Sequence, residues 1–230
     1  FPFVLTRTPY GRDMEYDDSS AYTAFGFGFA VQDIRGGVGG GGARLTFLDD
    51  GWGENQDGFD AVEWLAAQPY CNGRVAIEGV SAMGITGLLA AGAAPASLEG
   101  VLCGNGAGNM YGDVAYPGGI LQRSLVQGFL TQVDNLPRMQ DVIAHPLRDS
   151  FWDPMDLSTR YAQVDVPVLH VTGWFDMYVD AAFRVAAGVG QLGGGNARGR
   201  QMVVVGPWTH VEMFQPSQGE LVFPPNAGLT

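Results

Sequence analysis

Six short apolar, β-rich runs separated by stretches of helical spacing restrict this chain to few architectures. Phe3 to Thr6, Phe27 to Asp33, Arg74 to Glu78, Gly100 to Cys103, Pro167 to Thr172 and Gln201 to Val205 each have the length and composition of a strand. Gly58 to Ala67, Ile85 to Ala94 and Tyr178 to Val189 read as helices. In the first of these, Phe59, Val62, Trp64, Leu65 and Ala66 supply a broad apolar face. Strands alternating with helices predict a mostly parallel sheet flanked by crossover helices, an α/β fold. A chain of 230 residues can close one such domain around a substantial core. With 46% apolar and 16% charged residues, it is not a disordered or solvating chain.

The alternation stops between Asn109 and Asp165, where Tyr, Trp, Pro, Gln and Arg dominate and Leu121 to Phe129 reads as a helix. Long irregular segments inside compact domains are usually functional. Residues 111–165 are therefore expected to form a small helical cap between a first core segment, 1–110, and a second, 166–230. The competing reading is a set of ordinary surface helices.

The chain carries 24 acidic against 12 basic residues, a net charge of −12, and lysine is absent. So acidic a surface repels phosphate backbones and anionic membranes, which argues against nucleic acid and membrane as partners and leaves a homo-oligomer open. No run of roughly 18 apolar residues is present to span a bilayer. Without lysine there is no Schiff-base chemistry and no Walker A loop, so the glycine run Gly36 to Gly42 reads as a flexible surface loop. Cys71 and Cys103 are too few for a disulfide framework and read as unpaired, partly buried thiols. The chain starts at Phe1, so a signal peptide upstream is not excluded and the compartment stays open.

Three segments carry the chemistry, each where an apolar run gives way to a turn. Ser81, in Gly79-Val80-Ser81-Ala82-Met83-Gly84, lies between a strand and a small-residue helix. A sharp turn there would lift the hydroxyl clear of the backbone, the glycines would remove clashing Cβ atoms, and the helix N-terminus would favour developing negative charge. Asp176, in Gly173-Trp174-Phe175-Asp176, follows a strand closed by Gly173, where its carboxylate could orient an imidazole. Asp180, the rival acid, lies inside the next helix and is expected to be solvated. His210 follows Met202 to Val205 through a rigid turn, Gly206-Pro207-Trp208, and histidine titrates near the pH a general base needs. His170, inside a strand, reads as a hydrogen-bonded core residue, and His145 as structural. Serine, aspartate and histidine in this order match the nucleophile, acid and base of α/β-hydrolases. Tyr10, after the first strand, stands where that fold supplies one oxyanion donor, and the backbone N–H of Ala82 would be the other. From pattern alone, however, Tyr10 reads as a packed surface tyrosine.

Arg7-Thr8-Pro9-Tyr10, Gln32-Asp33-Ile34-Arg35-Gly36, the segment from Asp57 to Pro69, the Ser81 turn, Gly173-Trp174-Phe175-Asp176 and Gly206-Pro207-Trp208-Thr209-His210 together resemble the Xaa-Pro dipeptidyl-peptidase-like acyl hydrolases. Within that group the chain is similar to the cocaine-esterase-like acyl esterases, which include α-amino acid ester hydrolases and glutaryl acylases. The resemblance runs from Phe3 to about His210. It implies an α/β-hydrolase fold in which Ser81 attacks a small-molecule ester or amide carbonyl, His210 moves the proton and Asp176 orients His210. It also implies that the Tyr10 hydroxyl and the Ala82 amide hold the oxyanion, and it implies no cofactor and no metal.

Two departures bear on these expectations. The family usually has tyrosine where this chain has Ala82, so the backbone donor survives but a bulky pocket wall is lost. The family also carries more strands before the equivalent of Phe1 and a β jelly roll after the equivalent of Thr230, so the chain is expected to be the catalytic core of a longer protein. An acyl esterase is the leading expectation, with an Xaa-Pro dipeptidyl peptidase or amidase as the alternative and a non-catalytic binding protein as the third. A dipeptidase or an α-amino acid ester hydrolase needs an anion to hold the substrate ammonium, and Asp113 is the candidate at the cap edge; otherwise it would be a solvated loop acid. Trp174 and Trp208, beside the acid and the base, stand as further substrate contacts.

Overall fold

The computed structural model describes residues 1–14, 19–41 and 44–228, so Gly42 of the glycine run and the final Thr230 lie outside the described residues. In chain order the main elements are β1 (Phe3–Thr8), α1 (Ser19–Ala24), β2 (Gly28–Asp33), α2 (Asp57–Ala66), β3 (Val75–Val80), α3 (Ala82–Ala93) and β4 (Leu98–Gly104). There follow α4 (Arg123–Gln132), α5 (Met139–Ala144), β5 (Val168–Phe175), α6 (Val179–Leu192), β6 (Gln201–Thr209) and a two-residue pairing of β7 (Ser217–Gln218) with β8 (Leu221–Val222). All six predicted strands and three core helices are present, and α1 is one that apolar periodicity did not suggest.

The six long strands form one parallel sheet in the order β2-β1-β3-β4-β5-β6. Helices α2, α3 and α6 share one continuous apolar cluster with it, in which Leu5, Val62, Ile77, Leu88, Val168 and Val189 meet. Helix α3 is buried along almost its whole length because it runs beneath α2 and over β1, β3 and β4. Small residues make that approach feasible: a Cβ on Gly58 of α2 would lie 2.8 Å from the Ala90 Cβ of α3 and 2.5 Å from the Asp50 carbonyl. The buried face of α2 is accordingly Gly58, Ala61, Val62 and Leu65, and Trp64, expected on that face, is exposed.

Two expectations about strand ends are corrected. Strand β5 continues past Gly173 to Phe175, and β6 passes straight through Gly206-Pro207-Trp208, which forms no turn. The extension is stabilised by pairing of Gly173 with Gly206 and of Phe175 with Thr209 across a bulge. Pro207 is tolerated because β6 lies at the edge of the sheet among the described residues. Gly173 is required here: a Cβ on it would stand 2.0 Å from the Trp208 carbonyl oxygen.

The described part of the glycine run, 36–41, is also not a free loop. Gly36 is buried, and its carbonyl accepts from Thr46 Oγ1 at 2.6 Å and Asn135 Nδ2 at 2.8 Å. A Cβ on Gly37 would reach within 2.7 Å of Pro9. The run is thus packed against the segment that carries Tyr10. Of the two cysteines, which are unpaired, Cys103 is fully buried rather than partly so, and burial pushes its thiol up to about 12. Among the described residues no helix is long and apolar enough to cross a membrane.

Candidate active site

The sheet order reverses between β1 and β3, since β1 is followed by β2 on one side while β3, β4, β5 and β6 extend the other way. Crevices at such a switch point, outside the carboxyl ends of parallel strands, are where open α/β sheets bind ligands. Tyr10 follows β1 and Ser81 follows β3, so the topology alone puts them side by side there.

Ser81 occupies a left-handed backbone position, φ 57° and ψ −120°, between β3 and α3. Such a conformation is costly for a side chain bearing a Cβ and needs support from its surroundings. Part of that support is a 2.7 Å hydrogen bond from its N–H to the Gly104 carbonyl at the end of β4. The flanking glycines allow the tight turn: a Cβ on Gly79 would lie 2.4 Å from that of Met83, and one on Gly84 would lie 3.0 Å from the Gly79 carbonyl.

Ser81, Asp176 and His210 come together in one hydrogen-bonded chain. Ser81 Oγ lies 2.8 Å from His210 Nε2, and His210 Nδ1 lies 2.7 Å from Asp176 Oδ2. The Asp176 side chain is fully buried and its other oxygen accepts the Tyr178 N–H at 2.5 Å, so both of its oxygens are used. Asp180 is exposed in the first turn of α6, where solvation was expected.

Tyr10 and Ala82 line the same cavity as Ser81 and His210. The cavity has a volume of about 560 Å³, and its walls are mainly apolar, among them Phe47, Ile85, Phe129, Leu130, Trp152 and Met155. The Tyr10 ring meets Phe129 edge-on at 6.3 Å. Its segment is held from below by a buried ion pair between Arg7 and Asp50, a bond from Arg7 Nε to Gln32 Oε1 at 2.8 Å, and one from Thr86 Oγ1 to the Arg7 carbonyl at 3.0 Å. Farther out, Arg35 pairs with Asp57 at 2.9 Å. The motif residues Arg7, Gln32, Arg35 and Asp57 thus bond to one another or to Asp50, and none of them lines the cavity. Burial pushes the Asp50 carboxyl up, and Arg7 opposes that shift.

Three substrate-contact candidates do not line the cavity. Asp113 is half-buried with its side chain largely covered, its carboxylate ion-paired to Arg184 and accepting the N–H groups of Gly108 at 3.3 Å and Asn109 at 3.0 Å. It is neither an open anion nor a solvated loop acid. Trp174 is 61% exposed beside Phe183, at the far end of β5 from the core. Trp208 is buried, donates Nε1–H to the Ala227 carbonyl at 2.8 Å and packs edge-on with Phe214. His145 Nδ1 lies 2.8 Å from Asp149, a surface contact. His170 is buried as expected, and burial lowers its pKa to about 4 against the opposing effect of the Gln201 side chain.

Two residues at the site escaped the sequence reading. Tyr178 lines the cavity, and its ring meets the His210 imidazole edge-on at 5.3 Å. Burial first, and the Asp176 carboxylate second, push its phenol pKa up, so the hydroxyl stays protonated. The other is Asn105, whose signal was present in Gly104-Asn105-Gly106: asparagine between glycines favours a left-handed turn. Among the described residues, no group of three or more His, Cys, Asp or Glu side chains is arranged to hold a metal ion.

A parallel sheet of this order, with serine, histidine and aspartate in one hydrogen-bonded chain at its carboxyl edge, defines an α/β-hydrolase-fold protein. The model of the X-Pro dipeptidyl-peptidase (S15) family matches residues 1–138 and 127–212, and the chain belongs to that family. It is 24% identical to the cocaine esterase of Rhodococcus sp. (strain MB1 Bresler) over 262 residues, which cover 91% of this chain and 44% of that protein. Among solved structures, an aminopeptidase from the marine sediment archaeon Thaumarchaeota archaeon superimposes with a TM-score of 0.75 at 22% identity, covering 99% of this chain and 47% of the other. An α-amino acid ester hydrolase superimposes with a TM-score of 0.74 at 19% identity, with the same coverage of 99% and 47%. This chain therefore spans less than half the length of each of these relatives.

Proposed function

We propose that the protein is a serine hydrolase that cleaves acyl esters through a Ser81-His210-Asp176 triad and an acyl-enzyme intermediate. The observation that carries this reading is the relay of 2.8 Å and 2.7 Å hydrogen bonds ending at a serine hydroxyl that lines an apolar cavity. In the first step Ser81 Oγ attacks the substrate carbonyl and gives its proton to His210 Nε2. The tetrahedral oxyanion accepts hydrogen bonds from the Tyr10 hydroxyl and the Ala82 N–H, the latter in the first turn of α3 where backbone donors lack intrahelical partners. Collapse expels the alcohol, which takes the proton back from His210. Water then repeats the sequence on the acyl-enzyme and frees the acid. Asp176 holds the imidazole in the required tautomer and stabilises the imidazolium that forms. Residues 111–165 act as the cap, since Val114, Phe129 and Trp152 from that segment wall the cavity.

The alternative is removal of an Xaa-Pro dipeptide, which has the family's name behind it and uses the same triad. It requires an anion to hold the substrate ammonium. Asp113, weighed for that task, is bound to Arg184 outside the cavity lining, which favours the ester reading. Labelling with a serine-reactive phosphonate, followed by a panel of acyl esters and Xaa-Pro amides, tests both readings. The wild-type protein should be labelled and should turn over esters, and Ser81→Ala should lose both, with a fall of about 10⁴ to 10⁶ in kcat. A folded Ser81→Ala variant that keeps more than about a tenth of the activity would remove Ser81 from the mechanism.

A further inference from the structure

Asn105 sits directly after β4, buried to 1% exposure, with a left-handed φ of 44°. Its side-chain Nδ2 donates to the His210 carbonyl at 3.1 Å and stands 3.5 Å from the Thr209 carbonyl. Two carbonyl oxygens facing the amide require its nitrogen, not its oxygen, to point at them. Its own N–H donates to the Val171 carbonyl of β5 at 2.8 Å, which ties the turn to the strand lying between β4 and β6. The residue before it, Gly104, accepts the Ser81 N–H at 2.7 Å. A single dipeptide at the end of β4 therefore grips the backbone of the serine on one side and of the histidine on the other.

We infer that Gly104-Asn105 is a strut that sets the distance between Ser81 and His210, with Asn105 as a positioning residue for proton transfer. This inference rests on the triad reading above. The two partners need such a brace for different reasons. Ser81 lies in a conformation that relaxes unless it is held. His210 lies just beyond the end of β6, and both of its ring nitrogens are already engaged in the relay. The Asn105 bond to its carbonyl fixes the main chain from which the ring projects. The left-handed backbone and the two facing carbonyls together account for asparagine at this position: it tolerates positive φ better than other side chains and also offers an amide donor. A misplacement on the order of 1 Å between reacting groups costs about 100-fold in rate, so a loosened His210 carbonyl should be felt in kcat.

The test uses two variants of the intact protein. Asn105→Gly removes the side chain at a backbone angle that glycine adopts without strain. Asn105→Asp keeps the shape and presents a carboxylate, which cannot donate to the two carbonyls. Each is measured for kcat, KM, the pH profile of kcat/KM, the second-order rate of phosphonate labelling and the fraction folded. For both variants we expect KM within about twofold of wild type, and kcat and labelling falling together by about 10- to 100-fold per folded molecule. In Asn105→Asp the acid limb should also move to higher pH, because a nearby negative charge favours the imidazolium. Activity within twofold of wild type in both variants would overturn the inference, as would losses that merely follow the folded fraction, which would make Asn105 a fold residue only. An unlabelled wild-type protein would instead refute the triad reading itself.

Discussion

A test of the structure that separates catalysis from stability is provided by His170. It lies in β5 between Cys103 of β4 and Val203 of β6, buried to 1% exposure, and burial lowers its pKa from 6.5 to about 4. Because the folded value is below the unfolded one, the unfolded chain binds the extra proton first as pH falls. The stability that neutral His170 confers is therefore complete above about pH 7, declines through pH 6.5 and is exhausted near pH 4. Each pKa unit of difference is worth about 1.4 kcal/mol, so the linkage removes about 2 kcal/mol by pH 5 and about 3 kcal/mol by pH 4. This matters for function because an acid loss of activity is also what protonation of His210 would produce. The perturbation is His170→Leu, an apolar replacement with nothing to titrate. Urea unfolding at pH 7.5, 6.0 and 5.0 should show wild-type stability falling by about 2 kcal/mol more than that of the variant across this range, while the acid limb of kcat/KM remains in both. Equal pH slopes for the two proteins, or a His170 ring resonance titrating between pH 6 and 7, would refute the reasoning.

Asp176→Asn should keep the fold and lower kcat by roughly 10⁴, since the amide cannot enforce the tautomer, whereas Asp180→Asn on the exposed start of α6 should leave kcat within twofold. Tyr10→Phe retains the ring contact with Phe129 and should lower kcat by about 10² to 10³ with KM and Tm nearly unchanged; wild-type kcat would mean the oxyanion is held elsewhere. Gly173→Ala drives a methyl into the Trp208 carbonyl, 2.0 Å from its Cβ position, so chemical denaturation should show a loss of about 1 to 3 kcal/mol, and an undamaged variant would argue against the extended β5–β6 pairing.

What the sequence determined by itself is what local chemistry dictates. Strand and helix periodicity are written in a handful of consecutive residues, and so were the places where apolar runs end at Ser81, Asp176 and His210. The need for glycine at 79 was equally local, since Met83, which would clash there, lies within a few positions, whereas at 84 the nearest group is the sequence-distant Cys103 Sγ, at 2.9 Å. What only the tertiary structure decided is which distant groups share a neighbourhood. Asp113 read as a substrate anion or a solvated loop acid until Arg184, 71 positions away, proved to be its partner. Trp174 and Trp208 adjoin the acid and the base in sequence, yet neither lines the cavity, because the pairing of β5 with β6 turns one outward and buries the other against Phe214. Gly173 and the Gly206-Pro207-Trp208 segment looked like chain breaks because glycine and proline usually are, and the partner strand overrode that preference. Asn105 carried a turn signal but no hint of His210, which lies 105 residues on. Sheet order brings such pairs together, and it is fixed by packing among elements rather than by the residues flanking any one of them.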